Sequence, residues 1–65
     1  MQPADEARSI VELGHELVHA FPALPADKVR TAVEQAWMDF LHAPVREFVP
    51  LLVRRQVVAE LRRLA

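Results

Sequence analysis

The sequence predicts an all-α fold, a three-helix bundle with short proline-containing connections, and a dimer is expected. Apolar residues recur at helical spacing in three separate segments, and prolines fall between those segments. The chain has 65 residues and no cysteine, which excludes disulfides and thiolate metal sites. A chain of this length buries only about 60% of its unfolded surface, so it is predicted to form one domain over residues 1–65.

Helix 1 is predicted over about residues 4–20. Pro22 disfavours a helical conformation at the preceding residue, so the helix is expected to end at about Ala20. Gly14 lies on the apolar face and costs about 1 kcal/mol relative to alanine in a helix interior, so we expect another helix to approach it closely. The core residues predicted from the spacing in this segment are Ile10, Leu13, Leu17 and Phe21.

Helix 2 is predicted over about residues 25–42. Pro25 suits the first helical position because its missing N–H would be unpaired there. Pro44 is expected to stop the helix near His42. The predicted core residues of this segment are Val29, Val33, Trp37 and Phe40.

Helix 3 is predicted over about residues 50–64, after a short helical turn at 45–48. A single helix running on from Pro44 would cost about 3 kcal/mol at Pro50, although a kinked continuous helix stays open as an alternative. Arg46 and Glu47 form a charged pair in an otherwise apolar turn, and we expect Arg46 to bond helix C-terminal carbonyls or a carboxylate. The predicted core residues here are Phe48 and Leu61.

The apolar coverage of helices 2 and 3 is wider than one inward face requires. Two-fold homodimers are the commonest way to bury such a surplus. The sequence therefore predicts a non-enzymatic protein–protein interaction module that forms a homodimer and needs no cofactor. The predicted interface consists of Met38, Leu41, Leu52, Val53, Val57 and Leu64.

The segment from His15 to His19 matches the H-E-x-x-H pattern of zinc peptidases. Two histidines one turn apart can share a metal, and Glu16 could activate its bound water. A peptidase also needs a third ligand and a substrate cleft, which 65 residues do not provide. A zinc-dependent peptidase is therefore the least favoured hypothesis, and His15 and His19 are candidates only for adventitious metal binding.

Helix 3 suggests a second function, because it carries Arg54, Arg55, Arg62 and Arg63. Small helical proteins with a basic helix include DNA-binding regulators, so a DNA-binding or regulatory protein is the alternative hypothesis. The formal net charge of −1 makes nucleic acid the weaker prediction. No apolar run reaches the roughly 18 residues of a membrane span, and no basic signal peptide is evident, so a cytoplasmic location is expected.

Nearly the whole chain is similar to a known family. The segments 19–25, 43–50 and 52–55, with Phe40 and Leu61, resemble the three-helix bundle dimerization domain, a family of small bacterial domains. The most specific part is Phe-Val-Pro-Leu-Leu-Val-Arg-Arg. Such domains also stand N-terminal to arsenate reductases of the low-molecular-weight phosphatase type. The resemblance implies a homodimer and association with such an enzyme, and it implies no catalytic residue in this cysteine-free chain.

Overall fold

The computed structural model describes the backbone of residues 3–65 and the side chains of residues 5–65, so Met1 and Gln2 of the predicted domain lie outside the described residues. Residues 3–65 form three α-helices and no strand, which confirms the predicted all-α three-helix bundle. The helices are α1 (Pro3–Ala20), α2 (Ala26–Asp39) and α3 (Val49–Leu64). A 3₁₀ turn at Arg46–Phe48 leads directly into α3.

Side-chain contacts between the helices give their directions. Trp37 near the end of α2 contacts Glu6 near the start of α1, so these two helices are antiparallel. Near the end of α2, Asp39 contacts Gln56 in the first half of α3. Arg46, just before α3, is paired with Glu6 near the start of α1. Arg54, further along α3, is paired with Glu16, further along α1, so α1 and α3 are parallel. The chain therefore runs up, down and up, as short connections require.

The core is a single apolar cluster to which all three helices contribute. Its α3 stripe recurs every four residues, and its α1 stripe has the i, i+3, i+7 spacing of an amphipathic helix. Among the predicted core residues, Phe21, Trp37 and Phe40 are half-buried against this cluster. The buried residues are Ile10, Leu13, Leu17, Val29, Val33, Ala36, Val49, Val53, Val57 and Leu61.

The prediction that Phe48 belongs to the core is wrong for the single chain. Phe48 ends the 3₁₀ turn and is 54% exposed, whereas the next residue, Val49, is fully buried. Val49 stands four residues before Val53 and so begins the buried stripe of α3. The 3₁₀ turn leaves Phe48 outside that stripe, at the end of the bundle.

The predicted extent of helix 2 is too long at its C-terminus. The helix ends at Asp39, and the backbone N–H groups of Phe40 and Leu41 bond carbonyls only three residues back, at 3.0 and 3.2 Å. Such tightened bonds are typical of a final helical turn. At the other end, Pro25 flanks the helix, and its carbonyl accepts N–H bonds from the first turn.

Pro50 lies in the first turn of α3 and not in a helix interior. The first N–H groups of an α-helix have no partner within the helix, so the missing N–H of proline costs nothing at this position. The 3₁₀ turn and α3 nevertheless follow one another without a break.

Gly14 does not contact another helix closely, contrary to the sequence prediction. A Cβ atom at Gly14 would have no heavy atom within 4 Å apart from its two chain neighbours and the backbone of its own helix, and the residue has no positive φ. A small cavity of about 180 Å³ lies beside it, between α1 and α2.

Gly14→Ala should therefore stabilise the fold. The added methyl group finds open space, and alanine is better than glycine in a helix interior by about 0.5–1 kcal/mol. Urea unfolding followed by circular dichroism should show a higher midpoint with an unchanged slope. A lower midpoint would mean that another group fills the space beside Gly14.

Candidate functional site

An open groove runs along the surface between α2 and α3, with a volume of about 540 Å³. Small apolar residues, Ala32 and Ala36 of α2 and Val57 of α3, form part of its lining. Leu64 of α3 adds a larger apolar side chain. Charged and polar side chains form the remainder, with acidic groups outnumbering basic ones: Asp27, Lys28, Thr31, Gln35, Asp39, Gln56 and Glu60. The groove therefore combines an apolar element with an acidic rim.

The predicted interface residues divide into two groups in the structure. Met38 is 65% exposed, Leu41 51% and Leu64 53%, and Leu52 is half-buried. Met38 follows Thr31 by two helical turns, and Leu52 precedes Gln56 by one turn, so both lie close to residues that line the groove. We call the groove together with Met38, Leu41, Leu52 and Leu64 the α2/α3 face.

Val53 and Val57 do not belong to a free interface. Their exposed fractions are 0% and 1%, because both lie on the stripe of α3 that packs into the core. The apolar spacing of α3 does not distinguish an inward stripe from a neighbouring outward one. Both valines are therefore core residues of the single chain, and neither is exposed as the predicted interface requires, although Val57 also lines the groove.

The total exposed area is large for the mass of the chain. It amounts to 4690 Å² for 7.4 kDa, whereas a compact monomer of this mass exposes about 4,200 Å². Five of the exposed large apolar side chains fall in or next to the connection between α2 and α3: Met38, Leu41, Val45, Phe48 and Leu51. The surface thus carries an apolar excess at this end of the bundle.

A buried ionic cluster joins the start of α1 to the end of α2 and to the 3₁₀ turn. The Oε2 atom of Glu6 accepts bonds from Arg46 Nη2 at 2.7 Å and from Trp37 Nε1 at 3.0 Å. Arg46 Nη1 donates to the carbonyls of Phe40 and Leu41 at 2.5 and 2.8 Å. Arg46 therefore binds both a carboxylate and the carbonyls that follow α2, as the sequence predicts.

Glu6 was not identified as a site residue from the sequence. Its position four residues before Ile10 places it on the apolar stripe of α1, and in the structure it is 8% exposed. A carboxylate on a buried stripe needs a cationic partner, and Arg46 is the one basic residue of the 3₁₀ turn. The hydrogen bond from Arg46 lowers the pKa of Glu6, the bond from Trp37 adds to this, and burial opposes it.

The lowered pKa of Glu6 predicts that the fold weakens in acid. The stabilisation is fully present above the ordinary pKa of about 4.5, and it is lost as the pH falls through the lower pKa of the folded state. Urea midpoints measured from pH 7 to pH 3 should fall for the wild-type chain. Glu6→Gln should be less stable at pH 7 and should lose less on acidification. Parallel profiles for the two chains would contradict a role for Glu6.

The H-E-x-x-H segment lies on the outside of α1. His15, Glu16 and His19 are all exposed, and Glu16 is engaged in an ion pair with Arg54. Within residues 5–65, no three histidine, cysteine or acidic side chains lie close enough together to hold a metal ion. The geometry thus provides at most two imidazoles one turn apart.

The arginines of α3 are all exposed, but they do not act as one free basic surface. Arg54 is paired with Glu16 of α1, and Arg63 is paired with Glu60 within α3. Surface pairs of this kind contribute little to stability, about 0–1 kcal/mol each. They do place negative charge beside two of the arginines, which weakens the case for nucleic acid.

No helix in residues 3–65 combines the length and the apolar character needed to cross a bilayer. Comparisons of the chain found no matching family model, no similar curated protein and no similar solved structure. The resemblance to the three-helix bundle dimerization domain therefore stays a hypothesis. The class that the structure itself defines is a small all-α bundle with a polar-rimmed groove between α2 and α3.

Proposed function

We propose that this chain is a non-enzymatic protein–protein interaction module that forms a homodimer through its α2/α3 face. The observation that carries the proposal is the groove between the two helices, together with the exposed apolar residues Met38, Leu41 and Leu64 beside it or at its ends. Large exposed apolar patches on small proteins mark interaction sites.

The exposed apolar side chains near the connection between α2 and α3 support the same proposal, because Met38 and Leu41 belong both to that group and to the α2/α3 face. A stable interface buries about 800 Å² per partner. We propose a cytoplasmic location as well, which the cysteine-free composition supports.

Met38→Asp tests the proposal. A carboxylate beside the groove, within the proposed interface, should weaken association by at least about tenfold, since desolvating an unpaired charge is costly. The core lies within one chain, so circular dichroism of the variant should still show a helical protein. Sedimentation velocity should shift from dimer to monomer at the same concentration.

The matched control is Val11→Asp. Val11 is 59% exposed, similar to Met38, but it lies on α1, outside the α2/α3 face. This variant should associate like the wild-type chain. If Met38→Asp leaves association unchanged, the proposed face is wrong.

Association with an arsenate reductase or phosphatase-type enzyme is a further proposal that rests only on the resemblance of the sequence segments. A dimer could bring two copies of such an enzyme together, because a closed two-fold contact pairs whatever each chain carries. Size-exclusion chromatography of the chain mixed with a purified enzyme of this type should show co-elution. Separate elution at micromolar concentrations would remove the proposal without affecting the homodimer.

A further inference from the structure

We propose that the two copies meet about a two-fold axis parallel to the groove, so that α2 of each copy covers α3 of its partner and Asp39 pairs with the partner's Arg55. This inference rests on the proposed homodimer and adds the arrangement of its interface. It follows from the register of α2 against α3 and from the distribution of charge between them.

The register is fixed by contacts within one chain. Gln56 donates a hydrogen bond to Asp39 at 2.8 Å, and Asp27 and Leu64 line the same groove. The two helices are therefore antiparallel, and Asp39 lies at the same height along the bundle as Gln56. A two-fold axis parallel to the groove places α2 of one copy opposite α3 of the other. It leaves every residue at the same height along the bundle. Asp39 of one copy then lies at the same height along the bundle as the partner's Gln56. Arg55 is also at this height but about 100° further round α3 and outside the groove lining, so its long side chain has to extend over the edge of the interface to reach Asp39.

The same register also brings apolar residues of the two copies together. Met38 and Leu41 lie at the C-terminal end of α2 and just beyond it, and they come to the first half of the partner's α3. Leu52 lies there, half-buried and next to the groove. A two-fold contact repeats each pair, because residue i of one copy contacts residue j of the other and the reverse. The interface thus gains two apolar clusters related by symmetry.

Charge favours this axis over the other two-fold arrangement of the same face. An axis perpendicular to the helices would lay α2 on α2 and α3 on α3. The basic residues of α3 would then oppose one another, with Glu60 as the only acid on that helix. The proposed axis instead lays the basic helix on the more acidic one, whose charged residues are Asp27, Lys28, Arg30, Glu34 and Asp39.

Asp39 and Arg55 are both exposed, and neither is in an ion pair within the described part of the chain. Asp39 is exposed and bonds the neutral amide of Gln56, so its charge is not neutralised within the chain. An exposed aspartate at the end of α2 is also unfavourable for the helix dipole, which a partner's arginine would offset.

The test exchanges the two charges between chains. Asp39→Arg alone should weaken homodimerisation about tenfold or more, because symmetry places two arginines opposite two arginines. Arg55→Asp alone should weaken it similarly. An equimolar mixture of the two variants should form a heterodimer within about threefold of the wild-type affinity, since every pair is again of opposite sign. The chain with both substitutions should recover as a homodimer.

Glu12→Arg is the control for the charge change itself, because Glu12 is exposed on α1, away from the groove. It should dimerise like the wild-type chain, and circular dichroism should show that every variant is folded. A wild-type chain that stays monomeric overturns both the proposed function and this arrangement. A wild-type dimer that tolerates the single substitutions, or a mixture that does not recover, overturns the arrangement alone.

Discussion

Replacing Arg46 with alanine is expected to lower the free energy of unfolding by about 2–3 kcal/mol. The variant leaves the Glu6 carboxylate buried without its cationic partner, and it leaves the carbonyls of Phe40 and Leu41 without their donor. Arg46 itself is 34% exposed at its side chain, so solvent screens part of the interaction. Urea unfolding at pH 7 measures the loss.

The control for this prediction is Arg54→Ala. Arg54 also pairs with a glutamate of α1, but the side chains of the pair are 46% and 52% exposed. An exposed pair contributes about 0–1 kcal/mol, so this variant should stay close to the wild-type midpoint. Equal losses for the two alanine variants would show that the cluster around Glu6 has no special role in stability.

Val57→Asp is expected to abolish the fold, with a loss of more than about 4 kcal/mol. The residue is 1% exposed and lies in the core cluster, so the new carboxylate would be buried without a partner. A chain of 65 residues has a total stability of only about 3–10 kcal/mol. Circular dichroism should show a largely unfolded chain at 25 °C.

This result would differ from that of Met38→Asp, which replaces a side chain that is 65% exposed. We expect the Met38 variant to be a folded monomer and the Val57 variant to be unfolded at any concentration. A Val57→Asp chain that stays helical and merely dissociates would mean that Val57 faces a partner, as its place in the sequence pattern suggested.

Much of the fold follows from the positions of prolines and apolar residues. The spacing of Ile10, Leu13 and Leu17 predicts the buried side of α1, and these residues are buried. Pro50 indicates the start of a helix and not its interior, because the missing N–H of proline is without cost in the first turn and costly further along. Local rules suffice here because each of them acts within one or two turns of the chain.

The errors have a common physical origin in long-range packing. Val53 and Val57 repeat every four residues, but periodicity does not tell which side of an apolar helix meets its own core. Just after the end of α2, the backbone carbonyl of Phe40 accepts a hydrogen bond from Arg46. Arg46 also donates to the carboxylate of Glu6, which is forty positions away in the chain. Such contacts depend on how three helices are arranged, which no single segment specifies.

Gly14 illustrates the same limit in a different way. A glycine on an apolar helix face is often a site of close helix contact, yet the space beside Gly14 is open. The cavity there is lined by both α1 and α2, so it results from the distance between two helices. Three of the residues predicted for the interface, Met38, Leu41 and Leu64, are exposed, and their contact with a partner stays a prediction. The groove itself could not be seen in the sequence, because it depends on how α2 packs against α3.

The central claim is that this chain pairs with a second copy of itself, and its solution mass tests this most directly. Multi-angle light scattering of the wild-type chain should give twice the chain mass of 7.4 kDa at high concentration, falling towards 7.4 kDa on dilution. A mass of 7.4 kDa at every concentration up to the millimolar range would contradict the homodimer, and the α2/α3 face would then have to be assigned to a different partner.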